Sequence, residues 1–311
     1  MILTVTMNPS MDISYPIQEF KLDDVNRVDN VYKTAGGKGL NVARVVKQMG
    51  EDVLATGVLG GNIGDYIVQE LTKSNIENNF LKINQESRNC IAILHDGKQT
   101  EILESGPTLS AEDAAAFLEK YRELLTAASL VTISGSLPKG LEPGFYRGMV
   151  EMGREMGIPV IVDTSGESLR QVLLQKVKPF VIKPNTTELS QLLGVEVEQN
   201  ISSLKQVLTN EWFHGIEWVV VSMGGDGAFV KHGTDYYRVT IPSIEVVNPV
   251  GSGDATVAGL AVALKQKQSV PDVLKTAMTT GMLNTMEAGT GYIDRAKFSQ
   301  FFELIEVTKI D

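Results

Sequence analysis

A single cysteine, Cys90, stands in a chain of 311 residues, so no intramolecular disulfide can form and a reducing compartment is expected. Only three histidines accompany it, His95, His214 and His232, too few for a zinc site to be expected. Basic charge is scarce as well: 28 Lys and Arg stand against 38 Asp and Glu, the formal net charge is -10, and no Lys/Arg run occurs. That balance lacks the footprint of a general nucleic-acid binder, and it requires any anionic ligand to be caught by a local cluster. Long apolar runs are also missing. Candidates such as Ala258 to Leu264 end at Lys265 and Gln266, well short of a membrane span. The start of the chain has no basic segment before polar Asn8 and Asp12, so no targeting leader is expected and the chain reads as cytoplasmic.

No repeat, low-complexity segment or Pro/Gly/Ser linker divides the sequence, and its length suffices for one domain over residues 1–311 with a full core. The hydrophobic period changes along it. Residues 2–6 read as a strand, and two β-rich stretches at about 12–17 and 25–33 precede any helix. Val42, Val45, Val46 and Met49 form a helical stripe that stops at Gly50, and a strand over 53–58 follows. Arg88 to Leu94 and Gln99 to Leu103 read as a hairpin around Asp96-Gly97.

From Ser110 helices and strands alternate: helix 111–125, strand 129–133, helix 143–156, strand 158–163, helix 166–174, strand 179–182 and helix 186–193. Apolar strands such as Ile158 to Val162 belong in a parallel sheet covered on both faces, and Val219 to Val221 continues it. A β-ribbon over about 227–247 and three helical segments complete the expectation. The fold class that results is α/β, a large mostly parallel sheet covered by helices. The β-only excursions at about 9–33 and 87–105 are expected to join as a small β-sheet lid at one edge. Ligands of open parallel sheets bind outside the carboxyl ends of the strands.

Asn248-Pro249-Val250-Gly251-Ser252-Gly253-Asp254 precedes an apolar helix. Such a turn converges backbone N–H groups where the helix dipole is positive, which makes an anion hole. Asp254 there can merely complement the dipole, or it can take the proton of an attacking hydroxyl while the hole stabilises a transferring phosphoryl group. A second cluster, Ala35-Gly36-Gly37-Lys38-Gly39-Leu40-Asn41, suits polyhydroxylated or phosphorylated ligands, although backbone flexibility alone also accounts for its glycines. It is not a P-loop, since Gly39 follows Lys38. Asn8-Pro9-Ser10 after the first strand replaces the GxGxxG of a dinucleotide oxidoreductase.

Together these motifs resemble the PfkB, or ribokinase-type, family of ATP-dependent sugar kinases over essentially the whole chain. The carboxyl-terminal signature is matched from Asn248 through Asp254 to Ala258-Gly259-Leu260, and the amino-terminal one by Gly36 to Ala43 and Gly50. Lys183-Pro184-Asn185-Thr186-Thr187-Glu188 is similar to the family's metal-associated NxxE element, and Ser222 to Ala228 to its nucleotide loop. Thr6 to Asp12, Arg88-Asn89-Cys90 and Ser134 to Pro138 are most similar to the sugar-phosphate branch.

The resemblance implies a ribokinase-like fold and phosphoryl transfer from ATP, with Mg2+, to a ketohexose phosphate. D-tagatose 6-phosphate is the implied acceptor and fructose 1-phosphate the alternative; a non-catalytic sugar-phosphate sensor on the same fold is the rival class. Asp254 is the implied base, and Gly251, Ser252 and Gly253 the oxyanion turn. Asp12, Arg27, Gly36, Gly37, Lys38, Asn41, Arg88, Cys90 and Ser136 are expected around the sugar phosphate. Each has a plainer reading: Asp12 can be a turn residue, Arg88 an exposed hairpin cation and Cys90 a small packing residue. Lys183, Asn185, Ser222, Gly224, Gly227 and Asn284 are expected around the nucleotide, with Asn185 and Glu188 holding Mg2+ through water, although both can simply begin a helix. Apolar lid residues, Ile13, Val28, Val31, Ile91 and Ile93, lead to the expectation of a homodimer through the lid.

Overall fold

The computed structural model describes residues 1–96 and 98–310. The chain begins with strands β1 (Ile2–Thr6), β2 (Ser10–Pro16) and β3 (Tyr32–Gly36), then helix α1 (Lys38–Gln48), β4 (Val53–Gly60), α2 (Gly61–Lys73), β5 (Glu77–Asn78) and β6 (Leu81–Ile83). The hairpin β7 (Arg88–His95) and β8 (Lys98–Leu103) comes next. Alternation follows: α3 (Ala111–Leu125), β9 (Leu130–Ser134), α4 (Phe145–Glu155), β10 (Val160–Asp163), α5 (Gly166–Leu173), β11 (Val181–Ile182), α6 (Thr186–Leu193), α7 (Ile201–Leu208) and β12 (Trp218–Ser222). The last elements are β13 (Ala228–His232), β14 (Asp235–Thr240), α8 (Ser252–Lys265), α9 (Val270–Thr285), α10 (Phe298–Leu304) and β15 (Glu306–Ile310).

An 11-stranded sheet runs in the order β15-β14-β13-β12-β11-β10-β9-β1-β4-β5, with β6 also on β4. It is parallel from β12 to β5 and closes with an antiparallel edge at β13, β14 and β15. Alternate strand residues serve opposite helical layers, which is why these strands are apolar throughout. Ile2 and Val220 pack into the core shared with α1, α8 and α9, while Leu3, Val5 and Val221 pack into the core shared with α3 to α7. Helices α8 and α9 are buried almost all round, and Gly259 permits their approach: a Cβ there would stand 2.3 Å from Thr280 Oγ1. Among the described residues no helix is long and apolar enough to cross a membrane.

A separate four-stranded sheet, β3-β2-β7-β8, is formed by the two excursions, as the sequence pattern requires. Pairing of β2 with β7 is parallel, and the two flanking pairs are antiparallel. Four points depart from expectation. The stretch 25–33 is not a strand: it lies largely exposed, and pairing with β2 starts only at Tyr32. Polar Asp23, Asp24, Asn26, Asp29 and Asn30 break the alternation that a strand needs, and Asn26 closes a local loop onto Lys21. Helices α2 and α7 and strand β15 were not expected at all. The stripe of Ile63, Ile67 and Leu71 in α2 is interrupted by glycines, but it packs this helix beside β2 and β3 and holds the small sheet to the body. Finally, Ile13 and Ile93 are already buried within one chain, and 241–247 of the expected ribbon forms no strand. The hairpin's Gly97 lies outside the described residues.

Candidate active site

The carboxyl ends of β1, β9, β10 and β11 open on one side of the large sheet, and the first residues of α1 and α8 meet them there. At the end of β10 the buried Asp163 accepts ion pairs from Lys38 of α1 and from Lys183 after β11, each at 3.4 Å. Burial opposes the charge on Asp163, but Lys183 and Lys38 outweigh it and hold the carboxyl below its ordinary range. In return, Asp163 is the chief reason the Lys38 ammonium is held well above its usual value.

Asp254 lies in the first turn of α8. Gly251 precedes that turn with φ +83, a conformation glycine adopts without a Cβ penalty, and a Cβ there would stand 2.4 Å from Thr290 Cγ2. No side chain caps the helix, Ser252 N donates to Pro249 O at 3.3 Å, and the Lys183 ammonium lies beside Gly253. Asn41 Nδ2 donates to Asp254 Oδ2 at 2.7 Å. Burial, reinforced by the negative charge of Asp163, pushes the Asp254 carboxyl up to about 6, against the pull of Lys38, Asn41 and Lys183. A group with that value accepts a proton efficiently near neutral pH.

On the small sheet the register places Ser10, Asp12, Gly36, Arg88 and Cys90 on one face. Ser10 Oγ donates to Asp12 Oδ1 at 2.6 Å, and the Asp12 carboxyl lies over Gly36, where a Cβ would overlap it. Burial raises Asp12 against the pull of Ser10, Arg44 and Arg88. Arg88 is pinned by Nε on Asn8 O at 3.2 Å and Nη1 on Glu104 O at 3.0 Å. With Gly37, Lys38 and Ser136 it lines a cavity of about 200 Å³ that Asn8, Ser134 and Thr164 complete. Arg27 is not brought there; it stands exposed in the loop between β2 and β3. Cys90 is half-buried opposite Asp12.

The residues expected around a nucleotide fall on the other flank. Ser222 ends β12 and bridges to Asn185, while Gly224 and Gly227 shape the turn into β13. Asn284 is fully buried: its Nδ2 donates to Val250 O at 2.9 Å and its Oδ1 accepts from Gly291 N at 2.8 Å. It therefore ties two loops together rather than lining an open pocket. Asn185 and Glu188 form a reciprocal capping box on α6, which leaves Glu188 Oε1 without a partner in that box. Among the described residues no group of three or more His, Cys, Asp or Glu could hold a metal. A carboxylate oxygen outside the capping box fits Mg2+ that keeps most of its waters.

Two residues of this centre escaped the sequence reading, Asp163 and Arg44. Asp163 merely ends an apolar strand, the one polar residue of Val-Ile-Val-Asp, and Arg44 interrupts the stripe of α1 as an ordinary surface cation would. The buried cation between the small sheet and Asp254 is Arg44.

A doubly wound sheet, an uncapped helix with a buried carboxylate in its first turn and a second glycine-rich helix start define a phosphotransferase of the ribokinase-like fold. Residues 5–296 match the pfkB family carbohydrate kinase profile, and the chain belongs to that family, whose members use ATP. Solved structures agree. A Staphylococcus aureus protein provisionally named a phosphofructokinase is 29% identical, with a TM-score of 0.86 over 100% of this chain and 99% of that one. Phosphofructokinase-2 of Escherichia coli, in complex with potassium, is 25% identical with a TM-score of 0.90 over 97% of this chain and 98% of that one. A Thermotoga maritima protein provisionally named a 1-phosphofructokinase is 25% identical with a TM-score of 0.90 over 100% and 99%. The expected family and fold are therefore established.

The raised value of Asp254 carries a stability consequence. Its folded value near 6 exceeds the ordinary aspartate value of 3.8, so stability is fully present below pH 4 and is lost as pH rises through 6. Asp254→Asn should therefore stabilise the protein by about 1–3 kcal/mol at pH 8 and by almost nothing at pH 4. Urea unfolding at both pH values measures this, and equal stability of the two proteins at pH 8 would contradict the burial argument.

Proposed function

We propose that this carbohydrate kinase transfers the γ-phosphoryl group of ATP to the primary hydroxyl of D-tagatose 6-phosphate, yielding D-tagatose 1,6-bisphosphate and ADP. The observation that carries the transfer is Asp254, a buried carboxylate of raised proton affinity in the first turn of an uncapped helix, 2.7 Å from Asn41. Asp254 takes the hydroxyl proton. The leading N–H groups of α8 from Gly251 to Asp254, with Lys183, stabilise the charge that develops on the transferred group. Asn185 and Glu188 would hold Mg2+ through water, and the ion would supply charge neutralisation to the polyphosphate. Ser222, Gly224 and Gly227 border the nucleotide.

A phosphorylated acceptor is supported by the cavity shared by Lys38, Arg88 and Ser136, a local positive site on an otherwise acidic chain. Asp12 accepts hydrogen bonds from the sugar hydroxyls, and the small sheet acts as the lid that excludes water as a competing acceptor. Neighbours named phosphofructokinases make fructose phosphates the competing acceptors. The deciding experiment is ADP release with tagatose 6-phosphate, fructose 6-phosphate and fructose 1-phosphate in parallel. The highest kcat/KM is expected for tagatose 6-phosphate. Asp254→Asn should lower kcat by roughly 10²–10⁴-fold. No sugar-dependent ADP with any of the three would replace the kinase reading by a sensor.

Arg88→Ala should weaken sugar-phosphate binding by roughly ten- to a hundred-fold, the worth of one charge-assisted hydrogen-bonding group, and leave ATP binding within about threefold. Calorimetric titration of each ligand separates them. Equal losses would make Arg88 a support of the fold.

The small sheet is also the surface for a second copy. Its inner apolar residues Ile13 and Ile93 are covered within the chain, but Tyr32, Leu94 and Leu103 stay exposed on the face that carries Asp12 and Arg88. An isologous contact through that face removes them from water and shields the strand edges. Light scattering at micromolar concentration should give twice the 33.8 kDa chain mass. The mass of one chain, with and without sugar phosphate, would reject the dimer.

A further inference from the structure

Arg44 is as buried as Asp254, with 5% of its surface exposed, and does not line the cavity of Arg88 and Lys38. It sits on α1 one turn after Asn41. Its guanidinium donates through Nη1 to Ala35 O at the end of β3, and through Nη2 to Asn41 Oδ1 and to Thr290 O at 3.2 Å. The Tyr292 ring lies 5.6 Å from it. Its Nε is buried without a partner among the described residues. A side chain placed only for packing would not incur that desolvation, since apolar residues replace buried cations readily where stability alone is at stake.

An asparagine amide has two chemically different ends, and a guanidinium can only donate. The oxygen of Asn41 must therefore face Arg44, which leaves Nδ2 facing Asp254 at 2.7 Å. Turned over, the amide would set donor against donor on the arginine side and oxygen against carboxylate on the other. No other hydrogen bond reaches the Asp254 side chain among the described residues, so its second oxygen stays open.

We propose that Arg44 is a positioning residue of the kinase. By fixing the amide of Asn41 it keeps a hydrogen-bond donor on Asp254 and so orients the base and holds it ready to accept a proton. Anchorage at Ala35 and Thr290 sets that orientation from the point where the small sheet joins the body. Asn41 thus serves the base, a role distinct from the sugar contact expected of it. This inference rests on Asp254 being the base. The charged groups that also face Asp254 are Lys38 on α1, Asp163 at the end of β10 and Lys183 after β11; those facing Arg44 are Asp12, Tyr292 and Asp254.

The test compares Arg44→Gln, Asn41→Ala and the double variant in the intact chain. Two readouts are taken: steady-state kinetics, and titration of the Asp254 carboxylate in the free protein by difference infrared spectroscopy against Asp254→Asn. Each single variant should lower kcat by roughly ten- to a hundred-fold with both KM values within about threefold, and the double should be worse than Asn41→Ala by no more than about twofold. The infrared midpoint should rise by about one pH unit in both singles, and Arg44→Lys, which keeps a cationic donor, should restore much of it. Multiplied losses in the double variant, or an unmoved midpoint in a folded Arg44→Gln, would overturn the relay. If Arg44→Gln does not fold, the same cycle is run with Arg44→Met, which fills the site without a donor, and Asn41→Ala. A midpoint that moves as stated in a protein that phosphorylates none of the three acceptors would reject the proposed function and keep the relay.

Discussion

One buried carboxylate, Asp163, organises the charge at the open edge of the large sheet. Two lysines from different elements, Lys38 and Lys183, converge on it, and a carboxylate in that position needs both, since a buried charge without partners is unsustainable. The pairing aims one ammonium at the cavity lined by Arg88 and leaves the other beside Gly253. Asp163 also repels a second negative charge, which adds to burial in pushing the Asp254 carboxyl up to about 6. Asp163 thus places both cations and shares with burial the raising of Asp254.

The rest of the centre depends on close approach. Gly36 leaves room for the Asp12 carboxylate, Gly251 turns the chain into α8 against Thr290, and Gly259 lets α9 pack on α8. Asn284 clamps the loop at Val250 to that at Gly291, holding the leading turn of α8 from behind. Rigid support of this kind is what a group-transfer site needs, because its donors must be in place before charge develops.

Much of this was legible along the chain. The alternation after Ser110 announced the parallel sheet, and helix 111–125 has the expected bounds, since a Ser110–Asp113 capping box marks its start. Helix α2 was obscured because Gly60, Gly61 and Gly64 read as breakers, whereas Ile67 and Leu71 are buried by packing that only the assembled body supplies. The stretch 25–33 misled in the opposite direction, as valines without a partner strand do not make a strand.

The sequence by itself determined the family, the two glycine-rich helix starts and the carboxylate at the head of α8, because turns, caps and helix entries are local and need particular residues at fixed spacing. Only the tertiary structure brought Asp163 and Arg44 close to Asp254 and left Arg27 exposed in the loop between β2 and β3. It also decided that Asn284 is a clamp and that Asn41 reaches Asp254, 213 residues away. Burial and charge proximity are properties of neighbours in space; a strand-ending aspartate and a helical arginine carry no local mark of the partners that the fold brings to them.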